Sequence, residues 1–108
     1  MDKKKKETSK RKMNLYLIIF SENYVGRDAM LAYLDTLDYI VTWRTDFLNS
    51  VYVKSEESAK TISQGIMARF GDGRHLVTEI SMSEKFGYLP EKTWNFLKME
   101  ANKDFFIK

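Results

Sequence analysis

Residues 15–20 read Leu-Tyr-Leu-Ile-Ile-Phe and are apolar at every position, a short run rich in β-formers. The run predicts a central first strand apolar on both faces, closed by the turn-forming Ser21-Glu22-Asn23. From residue 27 to 37 the period becomes helical. Met30, Leu31, Leu34 and Leu37 share one side, Asp35 and Asp38 fall outside it, and Gly26 marks the approach. Residues 39–45 are β-branched and aromatic, and Val51-Tyr52-Val53 follows a turn-like stretch at 46–50, so a hairpin is expected. Ser55 then offers an N-cap, with Glu56 and Glu57 at the positive end of a helix whose stripe is Ala59, Ile62, Ile66 and Phe70. Gly71-Asp72-Gly73 ends that helix. Residues 75–81 alternate as a fourth strand, and Pro90 suits the first position of a short terminal helix with Trp94 and Leu97 on one side.

The resulting order, βαββαβ followed by α, interleaves two βαβ units and predicts an α+β, ferredoxin-like sandwich with a short C-terminal helix. Its sheet is four-stranded and antiparallel, with two helices on one face. The domain is expected at residues 13–99, after an extension at 1–12 and before a tail at 100–108 that contains Phe105-Phe106-Ile107. No other internal repeat is visible. The first strand presents Tyr16, Ile18 and Phe20 to one side and Leu15, Leu17 and Ile19 to the other, so both sheet faces need cover. Four covers are open for the face without the two helices: the terminal helix with Trp94 and Phe96, the Phe105-Phe106-Ile107 tail, a second copy of the chain, or a ligand.

Charge separates the extension from the rest. Across 108 residues the formal net charge is +3, yet the first twelve hold Lys3, Lys4, Lys5, Lys6, Lys10, Arg11 and Lys12 against Asp2 and Glu7, a local +5. Residues 13–97 carry eight basic and eleven acidic side chains, or −3. With seven like charges and no apolar residue beyond Met1, the extension cannot offset its ordering entropy by burial and is expected to be disordered. At 44% hydrophobic and 14% aromatic the remainder has material for one core, and the length leaves no room for a second domain. The apolar runs are far shorter than the roughly 20 residues of a membrane span, and Ser21-Glu22-Asn23 is no signal-peptide cleavage site. We read the chain as cytoplasmic.

Several chemistries lack their residues. The chain has no cysteine, which removes disulfides, thiolate metal sites and thiol nucleophiles, and a reducing compartment fits that composition. His75 is the only imidazole, no histidine-pair or calcium-loop pattern occurs, and Gly-x-Ser-x-Gly is absent. His75 reads as an edge histidine. The carboxylate pairs Asp35/Asp38, Glu56/Glu57 and Glu79/Glu84 are expected at exposed helix ends and strand margins, which is not the setting of an acid catalyst. No cofactor is implied. Polyanion binding has more support: the Lys-rich extension suits non-specific phosphate contact, and Arg44, Lys54, Arg69 and Arg74 are the candidates on the body.

Two resemblances add to this reading. Residues 15–20 resemble the first-strand motif of RNA-recognition domains and Ser50-Val51-Tyr52-Val53-Lys54-Ser55 the third-strand motif, which puts Tyr16 and Tyr52 at base-stacking positions. Leu48, Asn49 and Ser50 stand where that motif has basic, glycine and aromatic residues. Across 13–97, the element order also resembles small bacterial ferredoxin-like proteins of the Cas2, VapD and SinR-like kind. The residues that carry this are Asn49-Ser50-Val51-Tyr52-Val53-Lys54-Ser55, Ser58-Ala59, Leu76-Val77-Thr78-Glu79-Ile80 and Gly87-Tyr88-Leu89-Pro90. Membership would imply a homodimer and, in nuclease members, a metal held by an aspartate at the end of the first strand. Ser21-Glu22 occupies that place here, leaving Glu22 and Asp46 as the candidate ligands of a metal-dependent endonuclease. The leading expectation is a non-catalytic, homodimeric binding or regulatory module that contacts nucleic acid or an acidic protein through its extension. Tyr16, Phe20, Tyr52 and Trp94 are its stacking or interface candidates. The alternatives are the nuclease and a protein-interaction module of the inhibitor or adaptor kind.

Overall fold

The computed structural model describes residues 13–98, so the basic extension with its expected disorder and the tail beyond residue 98 lie outside the described residues. The elements follow the order β1 (Asn14–Phe20), α1 (Arg27–Asp35), β2 (Ile40–Phe47), β3 (Ser50–Ser55), α2 (Ala59–Phe70), β4 (His75–Glu79) and α3 (Glu91–Leu97). They form a small α+β domain whose four strands lie in the order β2-β3-β1-β4, each neighbour antiparallel. Each β-α-β unit therefore skips one strand, and β1 and β3 take the centre.

Pairing Leu17 with Tyr52 and Ile18 with Val51 sets which side chains share a face. On one face Tyr16, Ile18, Phe20, Val51 and Val53 meet Met30 and Leu34 of α1 and Ile62 and Ile66 of α2 in the main core. On the other, Leu15 and Tyr52 form a smaller core with Leu97 of α3, flanked by Leu17, Trp94 and Phe96. Of the four covers open to that second face, α3 is the one the described residues supply.

Local boundaries differ from the sequence reading: α1 stops at Asp35 rather than residue 37 and β4 at Glu79 rather than 81, and further changes fall at the start of α2, the β2–β3 turn and the start of α3. Ser58, not Ser55, caps α2, accepting the Thr61 N–H at 3.1 Å. Ser55 is fully buried at the end of β3, donating to the Tyr39 carbonyl at 2.6 Å and accepting the Glu57 N–H at 3.0 Å, which delays the helix by one turn. The β2–β3 turn is only Leu48-Asn49, because β2 continues to Phe47 through register shifts after Ile40 and Arg44 that absorb extra residues. Pro90 sits at the N-cap of α3, just outside the helix. Among the described residues no helix is long and apolar enough to cross a membrane.

Candidate functional site

Three places bring polar or aromatic chemistry together. The first lies under α3. Thr93 is fully buried; its hydroxyl donates to Asp46 Oδ2 at 2.5 Å and accepts from Arg44 Nε at 2.6 Å. A guanidinium nitrogen of Arg44 stands 3.8 Å from the other Asp46 oxygen. Beside them Lys54 is 2% exposed, its Nζ 4.5 Å from the centroid of the Phe96 ring. Tyr52 adjoins this group, and burial, helped by Asp46, pushes its phenol pKa up. These contacts fasten a short helix to the sheet.

The second place is where the β1–α1 and α2–β4 loops meet. A shallow cleft of about 340 Å³ is lined there by Ser21, Asn23, Tyr24, Asp72, Gly73 and Arg74. Tyr24 organises it: the ring stacks on His75 at 5.8 Å, meets Phe70 edge-on at 6.4 Å, and its hydroxyl donates to the Gly71 carbonyl. The ring lies so close to Gly73 that a Cβ there would come within 2.0 Å of it. His75 Nδ1 is 2.9 Å from the Gly73 carbonyl, which only accepts, so in the neutral ring Nδ1 carries the proton and Nε2 accepts a hydrogen bond from the Ser63 hydroxyl at 2.7 Å. The couple has the polarity of a base and its partner. Neither residue lines the cleft, and their bond joins α2 to β4.

The third place is the loop from β4 into α3, where Phe86 and Tyr88 are fully exposed. Separately, Phe47, Ile19 and Leu76 form an exposed row across the end of the sheet that α3 leaves uncovered, Ser50 lying between Phe47 and Ile19.

These placements correct several sequence readings. Tyr16 and Tyr52 cannot form one stacking platform, since their pairing with Val53 and Leu17 turns them to opposite faces. Tyr16 is 3% exposed, its hydroxyl donating to the Glu57 carbonyl at 2.7 Å and accepting from Asn14 Nδ2 at 3.2 Å. Phe20 is buried in the main core, Tyr52 is buried beneath α3, and Trp94 is half-buried beside it. Arg44 and Lys54 are occupied by α3 and are not a free phosphate-binding pair. Arg69, its guanidinium 4.9 Å from the Phe70 ring centroid, and Arg74 remain exposed. Lys3, Lys4, Lys5, Lys6, Lys10, Arg11 and Lys12 lie outside the described residues. Glu22 is exposed in the turn after β1, whereas Asp46 is held by Thr93 and Arg44 on β2, with β3 between the two strands. Among the described residues no three His, Cys, Asp or Glu side chains come together as a metal site.

No family model, curated protein or solved structure matches this chain. The arrangement must therefore be interpreted from its own geometry. Sequence reasoning missed Thr93, Ser63, Phe86 and Tyr88. Thr93 pairs with residues 47 and 49 positions away, Ser63 with His75 twelve away, and neither spacing carries a motif. Phe86 and Tyr88 fall in a segment without periodicity.

Proposed function

We propose that this chain is a small ferredoxin-like, cytoplasmic binding module, without chemistry of its own, that contacts polyanions through its basic extension. The fold assignment is supported by the strand order β2-β3-β1-β4 and the two interleaved β-α-β units. The observation that carries the binding reading is the segregation of charge: +5 in residues 1–12 against −3 in residues 13–97, where Arg44 and Lys54 are additionally engaged beneath α3. Nucleic acid is the polyanion favoured, with an acidic protein as the competing partner. Each phosphate neutralised adds about 0.7–0.9 to the log–log salt slope, so deleting residues 1–12 should flatten that slope by several units and remove most affinity. Unchanged binding of DNA and RNA by the shortened chain, measured at two salt concentrations, would refute the reading.

Self-association finds narrower support now that α3 covers the middle of the second face. The surface left for a second copy is the row of Phe47, Ile19 and Leu76, exposed at 51%, 42% and 56%. A homodimer meeting there completes the proposal, and a monomer mass by light scattering would remove that part.

A further inference from the structure

The loop between β4 and α3 is anchored at both ends beside the start of β1. Ile80 donates its N–H to the Leu15 carbonyl at 2.8 Å, and both Ile80 and Leu89 pack on the cluster of Leu15, Tyr52 and Leu97. Within the loop Ser81 holds a local turn: its Oγ accepts the N–H groups of Ser83 and Glu84 at 3.1 and 3.0 Å. Lys85 Nζ closes that turn by donating to the Ser81 and Met82 carbonyls at 3.1 and 2.5 Å. Beyond it, Phe86 and Tyr88 stand clear at 102% and 101% exposure, with Gly87 between them. Two aromatic rings left wholly in water on an otherwise pinned loop forgo the gain that burial gives side chains of this size. Packing within the described chain gives no reason for them.

Their position supplies one. β1 begins at Asn14, two residues after Lys12, so the chain that carries Lys10, Arg11 and Lys12 enters the fold where this loop is anchored. We propose that Phe86 and Tyr88 stack bases of a single-stranded nucleic acid whose phosphates the basic extension neutralises, a site that rests on the polyanion reading above. Proteins that hold single strands join a cationic track to aromatic rings, and stacking tolerates any sequence because every base has a π-face. A duplex hides those faces. Around the loop Glu79, Glu84 and Glu91 outnumber Lys85 and Lys92 by one, so the loop itself attracts phosphate little, which leaves charge contact mainly to the extension and base contact to the rings.

The test uses the full chain and three probes: a labelled oligothymidine strand, duplex DNA of the same length, and heparin, which has charge but no bases. Phe86→Ser with Tyr88→Ser should weaken the single strand about tenfold or more, at unchanged salt slope, and leave duplex and heparin binding as they were. Phe86→Tyr with Tyr88→Phe should keep the single-strand affinity, because both rings persist; a comparable loss in that variant overturns the stacking role. If heparin and the single strand bind and the double serine variant loses neither, the rings are idle while the polyanion reading stands. Parallel losses on all three probes would mean that the loop acts through the fold and would overturn the inference. Failure of the wild-type chain to bind any probe overturns both.

Discussion

The two faces of the sheet carry comparable apolar residues and end up as different surfaces. On the first, α1 and α2 contribute nine and twelve residues, roughly 14 and 18 Å of helix, which suffices to bury Ile18, Val51, Val53, Met30 and Ile66 completely. On the second, α3 has seven residues, roughly 10 Å, set against strands of up to eight residues, roughly 26 Å. Seven residues of helix cannot cover that face. Its centre is closed by Leu97 over Leu15 and Tyr52, its β2 side is fixed by the contacts of Arg44, Thr93 and Asp46, and the row of Phe47, Ile19 and Leu76 stays exposed. The first face therefore provides stability, while the second provides position and an unfilled surface. A buried polar group seldom adds much net stability, but it penalises any displacement that would leave its members unpaired.

The largest expected effect tests the first half of that contrast. Ile66→Ala should cost about 2–5 kcal/mol, the range for deleting branched apolar bulk from a packed core. Leu97→Ala should cost less, because the smaller cluster around it borders open surface and can relax. Urea denaturation of both variants is the measurement. Equal losses would mean that α3 is as integral to the core as α1 and α2.

Next in size is Thr93→Val, which keeps the shape and removes the hydroxyl that joins Arg44 to Asp46. A loss of about 1–3 kcal/mol is expected, since both charged partners lose a hydrogen bond in a half-buried setting, and Thr93→Ser should restore most of it. Hydrogen exchange should locate the change in α3 with α2 unaffected. Protection lost evenly across the sheet would instead make Thr93 part of the common core.

The same contrast explains what was legible in the sequence. Period and composition are local, so the six main elements and the stripe containing Ile62 and Ile66 could be read from residue spacing. Both serines near the start of α2 had capping chemistry, and the choice fell to Ser58 because the Tyr39 carbonyl, a tertiary partner, holds Ser55. Whether two aromatics share a face depends on strand register, which spacing within either strand does not contain. Tyr16 and Tyr52 fell on opposite sides for that reason. Lys54 looked like a surface cation because its neighbour Phe96 lies 42 positions later on a helix whose docking site is tertiary. Phe86 and Tyr88 were invisible for the same reason: exposure is decided by what a loop leaves unpacked.

The smallest effect at neutral pH, and the finest test of the difference between faces, concerns Tyr33. Its hydroxyl and that of Tyr39 both approach Gly65 of α2, where an added Cβ would lie 2.8 and 2.6 Å from them. Burial and the neighbouring Tyr39 phenol push the Tyr33 pKa up to about 12, with Arg69 opposing. The unfolded phenol titrates near 10, so the folded state holds this proton more tightly. Its stabilising contribution is full below pH 10, falls as pH rises above 10, and is lost through pH 12. Tyr33→Phe should therefore cost about 0.5–1.5 kcal/mol near pH 7, the worth of one hydrogen bond, and flatten the decline between pH 10 and 12. On the second face Tyr52 is also raised, by burial and then Asp46, but Arg44 beside it stabilises the phenolate in opposition. Tyr52→Phe should change the alkaline slope less than Tyr33→Phe does. The reverse order in stability-versus-pH curves would place the stronger proton hold beneath α3, and the assignment of the firmer packing to the α1/α2 face would lose its support from titration.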